Sequence, residues 1–230
     1  MRCIGNDIVD LGLTGTFSDD HYGRFLHRVL TDEEQAALIS FSQPERFLWA
    51  FWAAKESAYK SVFRYLTRIS SSPKNYHVSF LPCADSSVLC GTVVTPAFPV
   101  QVQAIIQNDY IHCLGISGAC ADFRRVEIGV CRMVPEDGSD VIRPDQESRM
   151  VREAAKNRIA QLTGSRVSRI DIRRKEASGR KGPPEVFIAG KKTDIIISLS
   201  HDGRFGAFAL SGITERPEPD PFPSGLPFDN

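Results

Sequence analysis

Apolar and polar positions along the first 65 residues predict one strand followed by two helices. Residues 2–10 hold scattered apolar positions in a segment too short and too mixed for a helix, so we expect a strand. Thr31-Asp-Glu-Glu34 has the form of a capping box and predicts a helix over residues 31–40. A second helix is predicted over residues 44–65.

The rest of the pattern predicts strands and then the same order of elements again. Short β-type runs separated by turn residues predict an antiparallel meander in the first half. From residue 125 we expect a strand, a helix, a further strand and a hairpin. These elements are predicted at residues 76–81, 88–94, 100–106, 110–117, 126–134, 144–162, 169–174, 195–200 and 205–211.

Short sequence matches support a repeat. Ile4-Gly5 matches Ile128-Gly129, and Cys113-Leu-Gly-Ile-Ser-Gly118 resembles Ala207-Phe-Ala-Leu-Ser-Gly212. We therefore predict an α+β fold, a pseudo-dimer of two similar halves, each a helix-covered antiparallel sheet. The halves are expected at residues 1–124 and 125–214, and a proline-rich tail at 215–230 is expected to be extended or disordered.

Composition narrows the function classes. Lysine plus arginine and aspartate plus glutamate number 28 each, so the overall basic field of a nucleic-acid binder is absent and an anion site must be local. No apolar run approaches the roughly 20 residues that span a bilayer, and the N-terminus does not resemble a signal peptide. We expect a cytoplasmic protein with no membrane or nucleic-acid partner and reduced cysteines.

The candidate chemistry begins on the second helix. Trp52, Glu56 and Lys60 are spaced four residues apart and share one face, with Lys55 on its flank. Glu56 and Asp7 of the first strand could hold Mg²⁺, which takes oxygen ligands, while the lysines could stabilise a leaving diphosphate. Glu56 and Lys60 alone would more often form an ordinary solvated ion pair.

A second candidate lies in the last hairpin. Ser200 and His201 could bind a phosphate there, and no Gly-x-Ser-x-Gly sequence marks Ser200 as a hydrolase nucleophile. Basic residues before the hairpin form either a solvated face or part of an anion site. They are Arg149, Arg152, Lys156, Arg173, Arg174, Lys175, Arg180 and Lys181.

Together these segments resemble the 4′-phosphopantetheinyl transferase superfamily. The resemblance rests on Gly5-Asn-Asp7, on Trp52-Ala-Ala-Lys-Glu-Ser-Ala-Tyr-Lys60, which is the specific motif, and on Ser200-His201. It implies Mg²⁺-dependent transfer of 4′-phosphopantetheine from coenzyme A to a serine of an apo acyl or peptidyl carrier protein. Adenosine 3′,5′-bisphosphate would be released. The carrier could serve fatty-acid, polyketide or nonribosomal-peptide biosynthesis.

The resemblance also implies roles for individual residues. Asp7 and Glu56 would bind Mg²⁺, Glu56 would help to deprotonate the serine, and Lys55 and Lys60 would contact the diphosphate, with Lys60 taking part in catalysis. The 3′-phosphate would be contacted by Ser200 and His201, with Arg149, Arg180 or Lys181 as helpers. Gly182-Pro-Pro184 resembles a segment near the adenine, although Pro183 replaces the lysine of the family.

The order of the motifs departs from part of the family. Asp7 and Lys55-Glu56 precede Ser200-His201, as in short trimeric holo-acyl-carrier-protein synthases and opposite to the long surfactin-synthetase type. The chain looks like two short units fused, or a long form with its halves exchanged, and we expect a monomer with one site between its halves. Long-type members carry a further carboxylate at the position of Val9. Because Asp10 points to the opposite strand face from Asp7, we expect water to replace that ligand.

Two other function classes remain open. A non-catalytic module that binds coenzyme A or a carrier would not need Asp7, Glu56 and Lys60 together. A metal-dependent diphosphate hydrolase would be expected to have denser acidic clusters.

Overall fold

Two five-stranded antiparallel sheets, each packed with a long helix, make up the described part of the chain. The structure is a computed structural model that describes residues 3–14, 19–41, 43–81, 87–118, 121–135, 142–177 and 180–213. Its helices are α1 (Leu11–Thr14), α2 (Asp19–Val29), α3 (Asp32–Leu38), α4 (Pro44–Phe63) and α5 (Pro144–Thr163). Its strands are β1 (Cys3–Asp10), β2 (His77–Phe80), β3 (Val88–Val94), β4 (Val100–Ile106), β5 (Tyr110–Ser117), β6 (Glu127–Arg132), β7 (Ile170–Ala177), β8 (Arg180–Ile188), β9 (Lys191–Asp202) and β10 (Phe205–Ser211).

The two sheets have equivalent strand orders, β1-β5-β4-β3-β2 and β6-β10-β9-β8-β7. In each, the first strand pairs with the last strand of its own meander. The α+β pseudo-dimer predicted from the sequence is therefore confirmed.

Small residues let α4 lie close against the first sheet. A Cβ added to Gly5 of β1 would lie 2.1 Å from the carbonyl oxygen of Ser57, and one added to Gly115 of β5 would lie 3.2 Å from it. Any side chain at Gly5 would push the helix away. Because Lys60 is one turn along the same helix, this close approach fixes how far its side chain lies from β1.

Side chains of β9 point alternately to α5 and to β1, as the period of a strand requires. Ile197 and Leu199 belong to the core under α5. Ser198, Ser200 and Asp202 face the other way, and their side-chain oxygens accept hydrogen bonds from the backbone N–H groups of β1. The pairs are Asn6 N to Ser198 Oγ at 2.9 Å, Ile8 N to Ser200 Oγ at 3.2 Å, and Asp10 N to Asp202 Oδ2 at 2.8 Å.

The predicted capping box is confirmed. Thr31 Oγ1 accepts from the N–H of Glu34 at 3.3 Å, and Glu34 Oε2 accepts from the N–H of Thr31 at 2.9 Å. The sequence analysis missed α2 and β8. Gly182-Pro-Pro184, which resembles a segment near the adenine, lies inside β8, where Pro184 pairs with Arg174 of β7.

The two sequence matches that suggested the repeat differ by one residue. Gly5 pairs with Gly115 in the first sheet, and Gly129 pairs with Phe208 in the second. If Gly5 is equivalent to Gly129, as the first match requires, then Gly115 is equivalent to Phe208. The second match would instead make Gly115 equivalent to Ala209, which points away from α5 and packs with Leu114 and Ile116. Only the first match is consistent with the strand registers.

No helix in the described part of the chain is long and apolar enough to span a membrane. The proline-rich tail predicted at residues 215–230 lies outside the described residues, as do Cys83 and Cys120. The other cysteines, Cys3, Cys90, Cys113 and Cys131, are free thiols.

Candidate active site

Four polar side chains from both halves meet where β1, α4 and β9 converge. Lys60 Nζ donates to Asp7 Oδ1 at 2.7 Å and contacts Ser200 Oγ at 3.2 Å. Ser200 donates to the same oxygen of Asp7 at 2.8 Å. Glu56 lies one helical turn before Lys60 and completes the group.

The environment of Glu56 favours its protonated form. Withdrawal from water raises the pKa of Glu56 to about 7, the negative charge of Asp7 adds to this effect, and Lys60 opposes it. A carboxyl group with this pKa can both accept and release a proton near neutral pH.

Asp7 and Glu56 provide the kind of donor set that Mg²⁺ uses. They are two oxygen ligands withdrawn from water, and the repulsion between their charges would be relieved by a cation. Among the described residues no three His, Cys, Asp or Glu side chains form a group that could hold a metal ion unaided. The pair therefore suits Mg²⁺ that keeps water and substrate oxygens as its other ligands.

The structure keeps Asp10 away from this pair. The carboxylate of Asp10 is buried and accepts from Arg204 Nε at 2.9 Å, from Arg204 Nη2 at 2.5 Å and from the N–H of Gly12 at 2.9 Å. Arg204 and Gly12 therefore hold Asp10 on the opposite face of the strand, as its position three residues after Asp7 predicted.

A cleft of about 250 Å³ opens beside the four side chains and reaches into the second half. Its wall includes Asp7 and Lys60 of the first half, together with Ser200 and three cationic or ionisable side chains of the second half, Arg152, Arg174 and His201. Within the described part of the chain, neither arginine pairs with a carboxylate. Partial withdrawal from water lowers the pKa of Arg174, and the charge of Arg152 lowers it further. Two adjacent unneutralised guanidinium groups form a suitable site for a phosphate.

His201 is held by a carboxylate from α5. Its Nδ1 lies 2.8 Å from Oε2 of Glu147. An ionised carboxylate can only accept, so Nδ1 carries the hydrogen and Nε2 is the ring atom left for a ligand.

Lys55 does not reach this site, which corrects the prediction that it contacts a diphosphate. Its ammonium is buried and donates to Glu34 Oε2 at 2.6 Å, to the carbonyl of Val29 at 2.9 Å and to that of Pro73 at 3.2 Å. All three of its hydrogens are therefore used inside the first half. The physical reason is that consecutive helix residues point about 100° apart, so Lys55 and Glu56 face different neighbours.

Two of the three basic residues predicted to help bind the 3′-phosphate do not line the cleft. Arg149 and Lys181 are exposed and do not line it, and the side chain of Arg180 lies outside the described residues. Arg152 and Arg174 line the cleft instead. Arg152 follows Ser148 by four residues, so both lie on the face of α5 that lines the cleft. This spacing could have identified Arg152 from the sequence.

Comparison with known families agrees with this arrangement. Residues 3–114 match the family model described as the 4′-phosphopantetheinyl transferase superfamily. This part of the chain is a domain of that superfamily. The match includes Asp7, Glu56 and Lys60, whereas Ser200 and His201 lie outside the matched residues. No curated protein matches the chain.

In this 4′-phosphopantetheinyl transferase domain, the buried Lys55 of the motif has a structural role that can be tested. Replacing Lys55 with Met should lower the free energy of unfolding by about 3–5 kcal/mol, because Glu34 keeps its buried charge and loses its cation. Urea denaturation would measure this. Lys60→Met is the matched control: its side chain is 29% exposed, so its loss of stability should be smaller. A Lys55→Met protein of unchanged stability would contradict the structural role.

The raised pKa of Glu56 predicts a pH-dependent stability. The folded protein keeps this proton up to about pH 7, whereas the unfolded chain releases it near 4.5, so the free energy of unfolding should fall as pH rises between these values. Relative to a Glu56→Gln protein, which cannot titrate at this position, the decrease in the free energy of unfolding should reach about 3 kcal/mol. Urea denaturation of both proteins at a series of pH values would test this. Parallel profiles would show that Glu56 titrates normally.

Proposed function

We propose that the protein transfers 4′-phosphopantetheine from coenzyme A to a serine of an apo carrier protein. The observation that carries this proposal is that the two halves contribute different kinds of side chain to one cleft. Asp7 and Lys60 line it from the first half, with Glu56 one helical turn from Lys60, and Arg152, Arg174 and His201 line it from the second half. A coenzyme A molecule has a diphosphate and a separate 3′-phosphate, and it needs cations at two places.

The placement of the diphosphate follows from the charges. Lys60 is the cation nearest to Asp7, and its three hydrogen bonds go to Asp7, to the carbonyl of Asn6 at 3.0 Å and to Ser200. A diphosphate bound beside Asp7 would be stabilised by the charge of Lys60. The 3′-phosphate would then lie toward Nε2 of His201 and the two guanidinium groups.

Glu56 would act as the base in the transfer. The serine oxygen of the carrier forms a bond to the phosphorus that carries the pantetheine arm, and the bond from that phosphorus to adenosine 3′,5′-bisphosphate breaks. The serine proton passes to the Glu56 carboxylate. Mg²⁺ bound between Asp7 and Glu56 would neutralise charge on the diphosphate as it leaves. Lys60 would add to that stabilisation.

Mass spectrometry of the carrier tests the proposal directly. Incubation with coenzyme A, Mg²⁺ and an apo carrier should increase the carrier mass by one phosphopantetheine group, and Glu56→Gln should slow the transfer about 10²–10⁴-fold. Carriers of fatty-acid, polyketide and nonribosomal-peptide type should be compared, since the residues of the cleft do not discriminate among them.

The alternatives predict different results. A binding module would be stabilised by coenzyme A, yet it would modify none of these carriers. A diphosphate hydrolase would cleave coenzyme A without a carrier. Either outcome would overturn the proposed transfer.

A further inference from the structure

Ser200 has no hydrogen-bonding capacity left for a substrate. A hydroxyl group has one hydrogen to donate and two lone pairs with which to accept. Ser200 donates to Asp7 Oδ1 at 2.8 Å, and it accepts from the N–H of Ile8 at 3.2 Å and from Lys60 Nζ at 3.2 Å. The residue is also 95% buried.

The direction of its side chain leads to the same conclusion. Successive residues of β9 face opposite sides, so His201 points to α5 while Ser200 points to β1. The guanidinium groups of Arg152 and Arg174 belong to the second half, whereas all three partners of Ser200 belong to the first. A phosphate bound by His201 and these arginines would have to displace Asp7, Lys60 or the β1 backbone to reach the Ser200 hydroxyl.

We propose that Ser200 is a positioning residue for the metal-binding carboxylate of Asp7 and is not a ligand of the 3′-phosphate. It ties Asp7 to the second half of the chain, so the geometry of the metal site depends on contact between the halves. The inference rests on the proposed function, because it takes Asp7 to be a ligand of Mg²⁺. Hydrogen bonds of this kind to a ligating carboxylate contribute about 10–100-fold to metal affinity.

Ser198 is a matched control within the same strand. It is equally buried, faces the same way and accepts from the N–H of Asn6 at 2.9 Å, as Ser200 does from Ile8. No contact joins Ser198 to a carboxylate within the described residues. Ser198→Ala therefore removes one link between the halves without touching Asp7.

The experiment measures Mn²⁺ binding by electron paramagnetic resonance, with the protein saturated by coenzyme A or by 3′-dephospho-coenzyme A. Ser200→Ala should weaken Mn²⁺ binding about tenfold with either nucleotide. Ser198→Ala should leave it within about twofold of the wild-type value. Calorimetry should show that Ser200→Ala retains the wild-type preference for coenzyme A over the dephospho form. Thermal unfolding of each variant confirms that the protein measured is folded.

Several results would overturn the inference. Unchanged Mn²⁺ affinity in Ser200→Ala would do so, as would weaker binding of coenzyme A without weaker binding of the dephospho form. Equal losses of Mn²⁺ affinity in Ser198→Ala and Ser200→Ala would assign the effect to weaker contact between the halves. Adding Ser200→Ala to Asp7→Asn should have no further effect on Mn²⁺ affinity, and an additive loss would also contradict it. If the wild-type protein with coenzyme A binds no Mn²⁺, the proposed function itself fails.

Discussion

Hydrogen bonds from the backbone of β1 to the side chains of β9 are the constraint on which the site depends. β1 is an edge strand, so the N–H groups of alternate residues have no partner in their own sheet. Ser198, Ser200 and Asp202 supply acceptors at the same two-residue spacing along a parallel direction. Because buried donors are costly to leave unpaired, this match fixes the register between the halves and places Ser200 beside Asp7. Arg64 adds a further link from α4 to the carbonyl groups of Pro184 and Ile197.

The halves have the same architecture but different chemistry. Aligning Gly5 with Gly129 places Cys131 in the second sheet where the first has Asp7. Burial raises the pKa of this thiol, so it stays uncharged where Asp7 supplies a carboxylate. The second half instead provides cations and Glu147, which orients His201. A repeated fold can thus contain a single site when each copy keeps only one part of it.

Much of this could be predicted from sequence, and the failures have physical causes. The helix α4, the meander and the second-half hairpin follow from period and turn residues, and spacing alone places Glu56 and Lys60 on one face. The buried partner of Lys55 could not be predicted, because Glu34 is brought to it by tertiary packing. Pro183 and Pro184 argued against a strand at β8, although Pro184 pairs with Arg174 of β7, beside a bulge in that strand. The bond between Ser200 and Asp7 could not be predicted, because the strand was predicted to end at residue 200, whereas β9 continues to Asp202 and turns Ser200 and His201 to opposite faces.

The central claim is that one site is shared between the two halves, with the metal on the first and the 3′-phosphate on the second. The most direct test is a crystal structure of the protein with coenzyme A and Mn²⁺, using anomalous scattering to locate the metal. The account predicts a metal peak at the carboxylates of Asp7 and Glu56 and the 3′-phosphate within reach of His201, Arg152 and Arg174. A metal bound away from Asp7 and Glu56, or coenzyme A bound wholly to one half, would contradict it.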